Sequence, residues 1–168
     1  MVKYNCYKPK TEIICSGSSE DVVGQYYQDV GRSDSQGDVD ITIGEALQAT
    51  ALTSGEKPVE WSDAAAIHEA EVRATGRKTI MPDGITAAAQ SAATRNARTT
   101  RDEDKTKLGE VLSNASTKLA SDKGATRGDA ESVMSVEKRD DPNFTTHPAG
   151  VATSIAAAVR LNRRQRPG

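Results

Sequence analysis

After residue 40 the apolar residues recur at helical spacing in six stretches, each framed by start and stop signals. Thr42-x-x-Glu45 has the capping-box pattern, in which a hydroxyl and a carboxylate satisfy two orphan N–H groups reciprocally. It predicts a helix through about Thr53 with Ile43, Ala46, Leu47 and Ala51 along one side, ended by Gly55 and Pro58. Ser62 is placed to cap a second helix, with Asp63 in its favoured first turn. That helix runs to about Ala74, with Gly76 as its stop and Glu69 and Arg73 at the favourable i,i+4 spacing. A third follows Pro82-Asp83-Gly84 with the stripe Ile85, Ala88, Ala89, Ala92 and Ala93.

The same plan then recurs. Leu108, Val111, Leu112 and Ala115 line a fourth predicted helix, and Val133, Met134 and Val136 lie in a fifth that must stop by Asp141-Pro142. Val151, Ile155, Ala158 and Val159 line a sixth.

The recurrence is an internal repeat. Gly44, Glu45 and Leu47 match Gly109, Glu110 and Leu112 at a spacing of 65. Asp63 and Ala64 match Asp129 and Ala130 at 66, as Glu71 and Arg73 match Glu137 and Arg139. Pro82 and Gly84 match Pro148 and Gly150, and Asn96 matches Asn162. These twenty positions are the repeat signature, and their expected role is structural. The chain therefore divides into a leader (1–40), a first repeat (41–98), a charged connector (99–105), a second repeat (106–164) and a short tail (165–168). The expected fold class is all-α where ordered: two tandem helical repeats, marginally stable or largely disordered when hydrated, behind a disordered leader rich in Ser, Gly, Asp and Gln.

Composition sets how firmly such helices can pack. Leu, Ile, Val and Phe number 27 of 168 residues, while Ala supplies 23 and the mean hydropathy is −0.60. Disordered chains fall below roughly 20% on the first measure, but they also carry high net charge, and here the net charge is only −2. Burying a methyl gains little against about 1–2 kcal/mol of backbone entropy per residue. The count therefore disfavours a large rigid core and favours helix-prone, marginally stable chain. All 23 Ala lie after residue 40, whereas all four Tyr and both cysteines, Cys6 and Cys15, lie before it. Two thiols in a polar leader without a secretory signal fit a reducing compartment.

Few residues point to chemistry. There is no phosphate-cradling glycine loop, no His-Glu-x-x-His, no Cys-x-x-Cys and no Gly-x-Ser-x-Gly pattern. His68 and His147 align with Met134 and Met81, so the repeat does not require imidazole, and neither a metal nor a cofactor is expected. Asp102, Glu103 and Asp104 read as a solvated charge run in the connector rather than an acid/base pair. Trp61 and Phe144 are the only aromatics beyond the leader, too few for a nucleic-acid stacking platform. Arg160, Arg163, Arg164 and Arg166 form a basic end, read first as cations against a helix dipole and second as a weak phosphate contact. No run of 18 apolar residues exists, so no membrane span is expected.

Several runs resemble the seed maturation protein (SMP) branch of the plant late embryogenesis abundant proteins. They include Ile41-Thr-Ile-Gly-Glu-Ala-Leu-Gln-Ala-Thr-Ala-Leu, Lys57-Pro-Val, Ser62-Asp-Ala-Ala-Ala-Ile and Glu71-Val-Arg-Ala-Thr-Gly. Ala87-Ala-Ala-Gln-Ser-Ala-Ala-Thr, Thr100-Arg-Asp-Glu-Asp-Lys-Thr-Lys-Leu-Gly, Asn143-Phe-Thr-Thr and Gly150-Val-Ala also look like that family. The match covers about 41–162, and Val22-Val-Gly-Gln-Tyr looks like the linker before it. Family members usually carry a further N-terminal repeat that residues 1–20 do not resemble, which points to a shortened or alternatively spliced form. The Arg-rich end after Asn162 also looks unusual.

The resemblance implies a protein of maturing seeds that protects cell contents during water loss. It would be hydrophilic, gain helix on drying, lack catalytic residues, and reside in cytoplasm and nucleus. Its expected partners are non-specific client proteins. A second reading is a folded helical module whose repeats pack or self-associate through Leu47, Leu52, Ile67, Leu108, Leu112, Val133 and Ile155. Nucleic-acid contact through Arg160–Arg166 stands last.

Overall fold

The computed structural model describes residues 40–166. The expected disordered leader, with its two cysteines, lies outside the described residues apart from Asp40. Among the described residues the regular structure is helical: α1 (Ile43–Thr53), α2 (Trp61–Thr75), α3 (Ile85–Asn96), α4 (Leu108–Leu112), α5 (Ala115–Lys118), α6 (Arg127–Asp140) and α7 (Val151–Gln165). A single 3₁₀ turn, Asp102–Asp104, occupies the connector.

The helix ends follow local chemistry. Thr42 accepts from the Glu45 N–H, and Glu45 Oε2 accepts from the Thr42 N–H at 2.9 Å, which completes the capping box of α1. Gly76 ends α2 in the left-handed region at φ 71°, a conformation that costs glycine nothing. Two local expectations shift. The cap of α2 is Glu60, not Ser62, because the Asp63 carboxylate reaches back three residues to the Glu60 N–H at 2.9 Å and Ser62 is buried within the first turn. The stripe Leu108 to Ala115 is broken into α4 and α5 at Asn114, whose backbone leaves the helical region. Ser and Asn favour side-chain bonds over helix continuation, and Gln48 of α1 takes the Ser113 carbonyl at 3.2 Å.

The helices pack across the repeats more than within them. α1 lies against α4, α5 and α7, while α2 packs along α6 and on α3. A contiguous core spans both halves. It includes Ile41, Ile43, Leu47, Ile67, Ile85, Leu108, Leu112, Val133, Val151 and Ile155, each essentially without exposed surface. Six of the seven residues expected to pack or self-associate are in this core, and Leu52 alone of them is exposed. The few large apolar side chains thus suffice for a core because both repeats pool them. Ala46, Ala64, Ala66, Ala70, Ala89 and Ala152 pack among them at contacts where a larger side chain would hold the helices apart.

Candidate functional site

Two short extended contacts tie the repeats together, and they mirror one another. Thr42 bridges Gly124 and Pro58 bridges Lys107, both antiparallel. The Ile43 N–H donates to Lys123 O at 2.9 Å, and the Leu108 N–H donates to Lys57 O at 2.9 Å. The Ala125 N–H donates to Ile41 O at 2.9 Å, and the Val59 N–H to Thr106 O at 3.1 Å. The start of the first repeat therefore pairs with the segment before α6, and the start of the second with the segment before α2, as in a pseudo-twofold exchange.

Asn96 and Asn162 clasp these contacts. Asn162 Oδ1 accepts from the Ile41 N–H at 2.7 Å, while its Nδ2 donates to Ile41 O at 3.0 Å and Ala125 O at 3.3 Å. Asn96 Oδ1 accepts from the Thr106 N–H at 2.8 Å, and its Nδ2 donates to Val59 O at 3.0 Å and Thr106 O at 2.8 Å. Each amide uses its acceptor and both donors on backbone drawn from both repeats, a complement asparagine alone supplies at this reach.

Glu71 and Glu137 cap helices from a distance. Glu137 Oε2 accepts from the Ala152 N–H at 3.0 Å and Oε1 from the His147 N–H at 2.9 Å. Glu71 accepts from the Thr86 N–H at 3.2 Å and from the Thr86 hydroxyl. Each carboxylate sits over the first turn of the last helix of its repeat, α3 for Glu71 and α7 for Glu137, where N–H groups lack intrahelical acceptors. The signature prolines and glycines make room for it. The Gly84 N–H bonds Met81 O and the Gly150 N–H bonds His147 O, closing turns with Pro82 and Pro148 at the position whose φ proline presets. A Cβ on Gly84 would meet Glu71 Oε1 at 2.8 Å, and one on Gly150 would meet Glu137 Oε1 at 3.2 Å.

The remaining signature residues serve helix starts and packing. Glu110 Oε1 accepts from the Lys107 N–H at 3.0 Å, as Glu45 does from Thr42. Gly44 lets α1 approach α5, since a Cβ there would meet Ser116 Cα at 2.9 Å; Gly109 lies against the Gly55 backbone. Leu47, Leu112, Ala64 and Ala130 are in the core. Arg73 pairs with Glu69 at 2.9 Å and donates to the Ser132 hydroxyl of the other repeat, whereas Arg139 is exposed and pairs with Asp140.

Asp63 and Asp129 are almost fully buried, and each meets a lysine absent from the signature: Lys57 at 2.5 Å and Lys123 at 2.8 Å. Burial pushes the Asp129 carboxyl up, but hydrogen bonds from Lys123 and Thr126 outweigh it and hold the group below the usual 3.8. The two lysines stand 66 apart, the offset of the aspartates themselves, so alignment of the repeats would have revealed them.

Two buried polar atoms have no hydrogen-bond partner among the described residues, His68 Nε2 and Ser154 Oγ. His68 lines a cleft of about 570 Å³ with Trp61, Glu69 and Arg139. The matching positions in the other repeat hold Met134 and Ala88. An unsatisfied buried group costs about 1–3 kcal/mol. His68→Met and Ser154→Ala are each expected to raise stability by about 1 kcal/mol in urea titrations.

Among the described residues no cluster of three His, Cys, Asp or Glu side chains could hold a metal, and no helix is long and apolar enough to cross a membrane. The polar residues brought together by the repeat act on backbone and helix ends. This defines a tandem helical-repeat protein whose signature is architectural. The seed maturation protein family model matches residues 41–99 and 106–165, and the chain belongs to that family. It is 65% identical to late embryogenesis abundant protein 47 of Arabidopsis thaliana, over 73% of this chain and 64% of that protein. It is 56% identical to late embryogenesis abundant protein D-34 of Gossypium hirsutum, over 89% of this chain and 58% of that one. Late embryogenesis abundant protein 3 of Arabidopsis thaliana is 44% identical over 90% of this chain and 86% of its own length. The chain thus spans less than two thirds of the first two relatives. No solved structure matches.

Proposed function

We propose that this chain protects proteins and other cell contents during desiccation, acting in the cytoplasm and nucleus on clients it does not select by sequence. The observation that carries the reading is membership of the seed maturation protein family, with relatives named as late embryogenesis abundant. The physics of the fold supports it. Loss of water leaves backbone N–H and C=O groups without solvent partners, and intrahelical bonds are the local remedy. Here the signature carboxylates and amides also take up helix-end and linker groups that water would otherwise satisfy. Ala-rich helices make the transition with no side-chain entropy loss. Helix content therefore rises as water is withdrawn, and mixed-sign surfaces replace hydration at client surfaces.

The test is circular dichroism in dilute buffer and in the dried state, beside recovery of an enzyme dried with the chain. Increased helix and enzyme recovery above that given by an equal mass of inert protein are expected. Recovery no better than the inert protein gives would sink the reading.

A second reading, a folded helical interaction module, is favoured by the core shared across both repeats. It predicts dispersed amide NMR signals and a cooperative melt in dilute buffer. It is compatible with protection by an already folded chain.

A further inference from the structure

The pseudo-twofold that relates the repeats also relates two clefts whose chemistry has diverged. α2 and α6 run antiparallel, with Arg73 near the end of α2 reaching Ser132 near the start of α6, and Trp61 at the start of α2 sharing a cleft with Asp140 at the end of α6. The N-terminal ends of the two helices therefore face opposite ends of the molecule, about 20 Å apart for helices of this length.

At the start of α6 a cleft of about 490 Å³ is floored by Ala125, Val159 and Asn162 and rimmed by Arg127, Arg163 and Arg166. Asn162 is saturated by backbone, the Thr126 hydroxyl donates to Asp129 and the Asp40 carboxylate is held by Arg166, so the arginines are the groups the cleft offers. Arg166 holds Asp40 at 2.6 Å and Arg127 holds Glu131 at 2.7 Å, while Arg163 is exposed and has no hydrogen-bond or ion-pair partner among the described residues. The equivalent positions in the first repeat are Trp61, Ala97 and Thr100. The fold therefore does not require the three charges.

At the start of α2 the matching cleft, about 680 Å³, carries the opposite sign. Glu60, Asp102, Asp140 and Asp141 line it against Lys105, with Trp61 at its edge. Trp61 is 54% exposed and Asp102 is 79% exposed, so both reach solvent. Carboxylates beside an accessible indole suit guanidinium groups, which pair with the first and stack on the second.

We propose that copies of this chain associate head to tail, the arginine cleft of one seating on the acidic, tryptophan-edged cleft of the next. Because the two surfaces differ and sit at opposite ends, the contact is heterologous: a pair leaves one cleft of each kind free, and further copies add to extend the chain. The contact is made of exposed charges, so it is weak in dilute solution and salt-sensitive. Rising concentration drives it.

The test uses the full chain and two double variants, Arg127→Gln/Arg163→Gln and Asp102→Asn/Asp140→Asn, all changed at surface positions and checked for unchanged helicity. Sedimentation at low salt is expected to show wild-type mass rising with concentration without a fixed end point, and falling to monomer in high salt. Each variant alone loses the association. Their equimolar mixture stops at a dimer, because one intact cleft of each kind remains, and the emission of Trp61, the only tryptophan, shifts to the blue. Several results overturn the proposal. They are a wild type that stays monomeric at every concentration, as when residues 1–39 fill the arginine cleft of their own chain; variants that associate like the wild type; a mixture that fails to dimerise; or association that requires added nucleic acid.

Discussion

Replacing Asn162 by Ala is expected to cost about 3 kcal/mol of stability. The magnitude follows from what is left behind. Ile41 O still accepts the Ala125 N–H, but the Ile41 N–H and Ala125 O lose the side-chain bonds that held them. Each such buried group costs about 1–3 kcal/mol when unpaired. The loss would lower the midpoint of thermal unfolding by about 10 °C for a unit of this size. Asn96→Ala repeats the experiment at the opposite clasp, where the Thr106 N–H and Val59 O are left. Its cost is expected to be somewhat smaller because the bonds to Thr106 are only part-buried. The two sites share no partner, so the losses should add. Asn162→Asp separates a hydrogen-bonding role from simple packing. It keeps the acceptor for Ile41 but turns a carboxylate toward two carbonyl oxygens, and should be at least as damaging as Ala. Urea titrations followed by circular dichroism measure these three and the Asn96→Ala/Asn162→Ala double variant; an Asn162→Asp protein as stable as wild type would exclude the clasp.

Glu137 gives the second large effect. Glu137→Ala strips the caps from the His147 and Ala152 N–H groups and is expected to cost about 3 kcal/mol at neutral pH. Glu137→Gln should cost about 1 kcal/mol, because the amide oxygen keeps one bond and no charge is buried. The difference should depend on pH. Burial pushes the Glu137 carboxyl above the ordinary 4.5, against the opposing pull of the Ala152 and His147 N–H groups. The native state then holds this proton more tightly than the unfolded chain. Its contribution is fully present below pH 4.5 and is lost as pH rises through the native value. Asp129 acts in the opposite sense: its contribution is present above the usual 3.8 and is lost as pH falls through its lowered native value. Stability measured from pH 3 upward should therefore lose its decline above about 4.5 in Glu137→Gln, and its acid loss in Asp129→Asn. Unchanged profiles in both variants would refute these assignments.

Much of this architecture is legible along the chain. The six periodic stretches, the capping pattern at Thr42 and Glu45, the stop at Gly76 and the 65- to 66-residue repeat all follow from local rules. The signature also singled out Asn96, Asn162, Glu71 and Glu137 without revealing what they hold. Their targets are backbone groups, and a backbone N–H looks the same at every position. Ile41 and Asn162 are separated by 121 residues, so no local pattern links them. Lys57 and Lys123 were readable as a recurring pair, yet their purpose required knowing that Asp63 and Asp129 would be buried. The cap of α2 shifted to Glu60, whose N–H the Asp63 carboxylate takes, and a break appeared between α4 and α5, where Gln48 of the other repeat takes the Ser113 carbonyl.

By itself the sequence determined the helices and their apolar faces, which depend on spacing between near neighbours, and the repeat and the family, which depend on the order of residues along the chain and not on contacts between them. Only the tertiary structure decided that each repeat completes the other. An apolar stripe states that a face must be covered, not by what. The coverage here comes from the opposite repeat, and the same exchange sets the two duplicated helix starts, one lined by arginines and the other by carboxylates, at opposite ends of the molecule.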